Sequence, residues 1–301
     1  MEENREIINK ITDLLDQLAM AYYDEQSQKR RLYYFEALTK VLEFLRTEDE
    51  WINTQEGSHD LIALLKRGSL ETIHQALFFV EVKGLKHQNY VLDCLVPDGI
   101  ALLSGYIMAP FLDFDNPQTV LGVNFGVGHF FFNQALMWNN PNLCFLAIEN
   151  DELIGRYLIE KGLLLKQPLE IKKITDWKNQ NDRSDLVIGD MRSEVVINPF
   201  QTIIDLENLT NAEASLYLVD ADFFRGREIA YFKDQIKHVS QLAALVLLPD
   251  AFFQNERFKK AFLILTKTKK ITEMGVFALP NINDSQSLQK TLSDIRAYIK
   301  E

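Results

Sequence analysis

From Asn4 to Tyr23 the apolar residues Ile7, Ile8, Ile11, Leu14, Leu15, Leu18 and Tyr22 recur at three- and four-residue steps, which places them on one face of an amphipathic helix. Leu32, Phe35, Leu38, Val41, Leu42 and Leu45 mark a second helix. Ile73, Leu77 and Phe78 mark a third that starts near Ser69. No strand pattern or long linker interrupts residues 1–88, so residues 1–110 read as a helical N-terminal domain suited to pairing with itself or with another protein. After Thr119 the period changes. Short apolar runs alternate with helical stretches, as βαβ units with a parallel sheet require. The runs 119–125, 144–149, 170–175, 185–189, 215–220, 243–248 and 261–266 predict seven strands within a domain spanning residues 111–301. The segment "DAFFQNERFK" between the last two is too short for a crossover helix, so these two strands should form an antiparallel hairpin.

With 301 residues and 47% hydrophobic content, the chain can bury a large core. Cys94 and Cys144 lie in apolar segments without C-x-x-C spacing, which indicates neither a disulfide framework nor a zinc site and fits a reducing cytoplasm. The five histidines are scattered, so no metal cluster is expected. No apolar run reaches the roughly 18 residues that span a bilayer and no charged-then-apolar leader opens the chain, so membrane attachment and export are not expected. A net charge of −11 weighs against a broad footprint on nucleic acid, whose affinity comes from Lys and Arg displacing phosphate counterions. Lys29-Arg30-Arg31 and Lys267-Thr268-Lys269-Lys270 are the basic runs, and both read as solvated faces.

The candidate chemistry centres on "TVLGVNFGVGHFFFNQAL", a strand, a glycine turn and a helix. A P-loop would need a lysine after its last glycine, but His129 follows Gly128. A dinucleotide fingerprint would need a third glycine or small residue, and Phe131 stands there. S-adenosylmethionine carries no pyrophosphate and needs neither feature, so Gly126 and Gly128 are candidate contacts for that cofactor. Glu149, at the carboxyl end of the second strand run and 23 residues after Gly126, is placed to accept hydrogen bonds from ribose hydroxyls. Asp176, ending "EIKKITD", is the candidate partner of the adenine amino group.

This arrangement resembles the class I methyltransferases of Gram-positive bacteria described as adenine-specific N6 DNA methylases, relatives of type I restriction-modification subunits. The resemblance rests on the helical N-terminal domain, "LVPDGIALLSGYIM", the glycine turn, "AIENDELI", "DLVIGD", and "LVDADFFRGREIAYFKDQI" through "LVLLPDAFFQNERFKKAFLILTKT". It implies a seven-stranded Rossmann-like sheet with a β6/β7 antiparallel hairpin, S-adenosylmethionine as cofactor, DNA as substrate, Pro97 beside the cofactor and Asp190 in the position of the catalytic acid.

The departures from the family pattern fall on the chemistry. The threonine expected before Pro97 is Val96, and the acid expected at the end of the first strand is Gly122. Losing a hydrogen bond to a charged group costs about 1.5–3 kcal/mol, which implies roughly ten- to hundredfold weaker cofactor binding. The catalytic N/D-P-P-F/Y segment reads Asp190-Met191-Arg192-Ser193, without the stiffening prolines or the aromatic that stacks on a flipped base. Asn198-Pro199-Phe200, eight residues later, carries similar residue types, but Asn-Pro is also a common loop or helix-start dipeptide. The sequence therefore predicts a methyltransferase fold with weakened cofactor binding, lost or diminished catalysis and weak DNA binding. The alternatives are an active enzyme that uses Asp190 with Asn198-Pro199-Phe200 on DNA or another substrate, and a non-enzymatic module that pairs through its N-terminal helices.

Overall fold

The predicted apolar stripe of the first helix is buried at Ile11, Leu15 and Leu18 and half-buried at Ile7, Ile8, Leu14 and Tyr22 in the computed structural model, which describes residues 2–87, 95–174, 184–226, 228–252, 259–268 and 271–300. Among these the helices are α1 (Glu2–Ser27), α2 (Tyr34–Thr47), α3 (Glu50–Thr54), α4 (Ser58–Arg67), α5 (Leu70–His87), α6 (Asp98–Met108), α7 (His129–Trp138), α8 (Glu152–Leu164), α9 (Pro199–Leu209), α10 (Ile229–Ile236) and α11 (Ser285–Lys300). The strands are β1 (Gln118–Val123), β2 (Leu143–Ile148), β3 (Leu169–Lys172), β4 (Leu186–Asp190), β5 (Ala214–Asp220), β6 (Gln241–Leu247), β7 (Lys260–Thr266) and β8 (Gly275–Ala278). Contacts divide the chain into two compact units. One contains Met1–Leu95, Gly126–Leu136 and Asn150–Ile171, and the other contains Val96–Phe125, Met137–Glu149 and Lys172–Glu301.

In the first unit, α1 buries Ile11, Leu15, Leu18 and Ala19, while α2 buries Phe35, Leu38, Val41 and Leu42. Local signals fix the helix ends. Asp49 caps α3 by accepting a hydrogen bond from the Trp51 N–H, and Asp151 caps α8 through the N–H groups of Leu153 and Ile154 at 2.8 and 3.2 Å. The interior also holds a charged cluster. Lys161 and Glu81 are fully buried, with Lys161 Nζ 2.5 Å from Glu81 Oε1. Tyr157 donates to the same oxygen at 2.5 Å, and Lys161 donates further to the Val127 carbonyl at 3.1 Å. Burial pushes the Lys161 ammonium down from its ordinary value while Glu81 opposes the shift, and burial pushes the Tyr157 hydroxyl well up. On the same unit the His74 and His129 rings stack at 4.8 Å with 17° between their planes.

The second unit is built on strands in the order β2-β1-β4-β5-β7-β6-β8. Strand β1 pairs parallel with β2 and β4, and β4 pairs parallel with β5. Strand β7 runs antiparallel to both β5 and β6, as the short connection between the last two predicted strands requires. Its residues Lys260 to Thr266 are all buried, so β7 is a central strand that needs apolar side chains on both faces. One core cluster joins Leu121, Val187, Tyr217, Phe232 and Leu263 across the sheet and the α9 and α10 side. The seven predicted strands are present within a few residues of the expected bounds. An eighth, β8, pairs parallel with β6. Its four residues alternate between half-buried and exposed and begin with a glycine, too short a run to register as a strand pattern. No helix among the described residues is long and apolar enough to cross a membrane.

His74 is 1% exposed, and its imidazole is held well below the ordinary value by burial, then by Lys161 and His129. Below about pH 6.5, the ordinary imidazole value, the unfolded chain takes up a proton here that the folded chain refuses, so stability falls with pH from that point. His74→Phe should flatten this acid limb by up to about 1.4 kcal/mol per pH unit between roughly pH 6.5 and 5. Urea unfolding at each pH measures the slopes, and identical slopes in the two proteins would exclude His74 as the group responsible.

Candidate functional site

The glycine turn leaves β1 after Val123, where the strand lies between Ile148 of β2 and Gly189 of β4. Three of its residues have positive φ: Asn124 at 57°, Gly126 at 52° and Gly128 at 80°. The two glycines meet different constraints. A β-carbon on Gly126 would have nothing within 4 Å, so only its backbone conformation calls for glycine and the space above it is open. A β-carbon on Gly128 would lie 2.6 Å from Leu158 Cδ2 and 2.9 Å from the Phe132 ring, so this position is closed by helix packing. Lys161 draws in the Val127 carbonyl between them.

Gly122 sits where the resembled family carries an acid, and the space beside it is filled. A β-carbon there would come 2.1 Å from Cε1 of Phe125, a residue on the same turn. An aromatic ring thus covers the position from which a side chain at residue 122 would project. Glu149 follows β2 directly, is half-buried, and its backbone N–H donates to the Lys172 carbonyl at 3.1 Å. This anchors the backbone of the residue that follows the strand. Pro97 is the N-cap of α6, with Val96 buried before it and Asp98 opening the helix. Asp176 lies outside the described residues.

Asp190, the last residue of β4, is 1% exposed. Arg192, two residues on and 5% exposed, grips both of its oxygens: Nε donates to Oδ1 at 2.8 Å and Nη2 to Oδ2 at 2.6 Å. The Arg192 backbone N–H adds a third contact to Oδ1 at 3.2 Å. Burial raises the Asp190 carboxyl above its ordinary value, with Arg192 opposing the shift. Such a fork-to-carboxylate pair, with the backbone N–H, takes up most of the directions in which the acid could accept a further hydrogen bond.

A second set of ion pairs lies on the strands beside it. Lys260 of β7, almost fully buried, bonds Asp220 at the end of β5 and reaches Glu194 at 2.8 and 3.0 Å. Asp220 also accepts the Ser193 N–H at 3.0 Å. Burial works against the Asp220 charge, but Lys260 and Ser193 hold its carboxyl below the ordinary value. Residues 191–194 are thus tied down along β5: the Met191 N–H donates to the Leu218 carbonyl at 2.8 Å, and the following backbone turns back to the Arg192 carbonyl.

Asn198-Pro199-Phe200 has a complete structural explanation. The Asn198 side chain caps α9 by accepting the Gln201 N–H at 3.1 Å, Pro199 opens the helix, and the Phe200 ring lies 4.4 Å from Phe223 and 5.4 Å from Phe232. His129 is likewise in the interior, between His74 and Phe78, whose ring is 4.2 Å away. Reading the sequence missed Phe125, Arg192 and Lys260. A signal existed for Arg192, a cation two residues after a strand-end acid. No metal-binding group of His, Cys, Asp and Glu occurs among the described residues.

No protein-family profile matches the chain. No curated protein sequence matches it either. Solved structures do. A Listeria monocytogenes protein provisionally classed as a class I S-adenosylmethionine-dependent methyltransferase superposes with a TM-score of 0.78 at 18% identity, over 98% of this chain and 99% of that one. The type I restriction-modification methyltransferase subunit of Streptococcus thermophilus gives 0.62 at 12% identity, over 98% of this chain and 74% of that one. The type IIG restriction endonuclease BpuSI gives 0.56 at 13% identity, over 97% of this chain and 39% of that one. The chain has the fold of the class I S-adenosylmethionine-dependent methyltransferases.

Proposed function

We propose that this protein is a methyltransferase-fold protein of the N6-adenine DNA methylase type that binds S-adenosylmethionine weakly and has lost methyl transfer. The observation that carries this reading is the clamp of Arg192 on the buried carboxylate of Asp190. An adenine methylase needs a free acceptor for the target amine and an aromatic surface for the flipped base. Here the acceptor is held by a guanidinium, and Met191, Arg192 and Ser193 offer no ring. Opening the clamp would leave Arg192 without its carboxylate in a buried place, a cost of about 3–5 kcal/mol for a broken buried pair.

The cofactor fit divides along its length. The adenosine end finds a suitable residue in Glu149 at its strand end. The methionine end does not, because Phe125 covers Gly122 and Val96 replaces a hydroxyl. When bound, S-adenosylmethionine would supply an activated methyl group. Glu149 would orient the ribose, and Pro97 would shape the wall beside the methionine end. Function then rests on binding, with the N-terminal helices as the surface for a protein partner or a second copy. A net charge of −11 supports weak contact with DNA.

The direct test incubates the protein with unmodified duplex DNA and S-adenosylmethionine labelled in its methyl group. No label should reach adenine, and robust transfer would refute the loss of catalysis. Calorimetry with S-adenosylhomocysteine examines the cofactor separately: weak binding is expected, and Glu149→Ala should abolish it, whereas unchanged affinity would remove Glu149 from the site. Gly122→Asp alone should lower stability by about 1–3 kcal/mol, because its β-carbon displaces the Phe125 ring. Adding Phe125→Ala should recover that loss and tighten cofactor binding. Equal melting temperatures for wild type and Gly122→Asp would show that the ring moves aside freely.

A further inference from the structure

Away from the glycine turn, the first unit carries a groove of about 390 Å³ where the ends of α2, α4 and α8 meet the start of α5. Its walls are aliphatic, with Leu45, Ile62, Leu65 and Leu163 among them. Leu163 is 41% exposed, a large apolar side chain left at the mouth of the groove. The charges around it are all of one sign. Arg46, Lys66 and Lys166 line the groove and no acidic residue does, although the whole chain has 43 acidic residues against 32 Lys and Arg.

The three cations are not equivalent. Arg46 is held by Glu160, its Nε and Nη2 donating at 2.9 and 3.0 Å, so its charge is already matched. Lys66 and Lys166 are exposed and form no ion pair among the described residues. Lys166 sits just past α8 at a φ of 54°, which turns the chain sharply after the helix. An apolar trough with unmatched positive charge at its rim fits a molecule with a hydrocarbon body and one anionic end: the body gains from leaving water, while the head stays at the wet rim beside the lysines. The volume falls in the range of small-molecule sites, about 300–1,000 Å³.

We propose that this groove binds a medium-chain aliphatic carboxylate, its tail along Leu45, Ile62, Leu65 and Leu163 and its carboxylate between Lys66 and Lys166. The proposal is independent of the cofactor reading, since none of these residues belongs to the turn, Glu149 or Asp190. Titration calorimetry of the full-length protein with decanoate, below its micellar concentration, provides the test. Saturable binding to one site is expected. Decanol, with the same tail and no charge, should bind at least tenfold more weakly, and acetate should not bind. The double variant Lys66→Glu/Lys166→Glu should weaken decanoate at least tenfold at an unchanged melting temperature, since both side chains are exposed. Leu163→Asp should weaken decanoate and decanol alike. Absence of saturable decanoate binding, equal affinity for decanoate and decanol, or insensitivity to the double lysine variant would each overturn the proposal.

Discussion

A lysine without access to water fixes the shape of the glycine turn. Placing Lys161 and Glu81 in the interior costs several kcal/mol per ion in lost hydration, which close, hydrogen-bonded geometry must offset. Glu81 provides the counter-charge, Tyr157 shares its oxygen, and the Val127 carbonyl accepts another Lys161 proton. The turn is therefore part of the solvation of a buried cation. Any rearrangement that withdrew Val127 would leave Lys161 short of an acceptor. Helix packing reinforces this, because Gly128 presses against Leu158 and Phe132 so closely that no side chain fits. The same phenylalanine lies under the Lys161 ammonium at 5.2 Å, so one ring serves both the close approach and the cation.

These demands persist whether or not a ligand ever touches the turn. A glycine turn is usually taken as the mark of a nucleotide or cofactor, but here Gly128 is accounted for by packing. Only Gly126, exposed and with open space above it, retains a feature that ligand approach would explain. The carboxyl ends of β4 and β5 point the same way from the opposite direction. There the charged side chains are partnered with one another: Asp190 with Arg192, and Lys260 with Asp220 and Glu194. A polar network that is satisfied internally in this way rigidifies the strand ends that carry it.

Much of the fold was legible because it depends on periodicity. The stripe Ile11, Leu15, Leu18 and the all-buried run of β7 are patterns that burial itself imposes, and the ten residues between β6 and β7 left no length for a crossover. β8 was not legible, since four residues with a leading glycine carry too little pattern. In the site, the glycine spacing and the strand-end position of Glu149 could be read, because both follow from position along the chain. Phe125 could not. Its ring covers Gly122 through a turn whose φ values at Asn124 and Gly126 are set by three-dimensional context. The burial of Lys260 was hidden for a related reason: a lysine that opens a strand ordinarily reaches solvent, and only the pairing with β5 and β6 on either side encloses this one.

The clamp at Asp190 and the cover at Gly122 bear on what substitution would do at each place. The ring of Phe125 occupies the space beside Gly122, so a carboxylate introduced there must also displace an aromatic side chain. At the end of β4 the acid is present, and Arg192 closes it. Asp190 and Arg192 are each stabilised by the other in a buried setting, so removing Arg192 alone would leave a desolvated carboxylate whose burial already raises its pKa. A carboxylate at position 122 and an open acceptor at Asp190 would each need two coordinated changes, the first of which is unfavourable by itself, while the sheet and the glycine turn are held by other interactions.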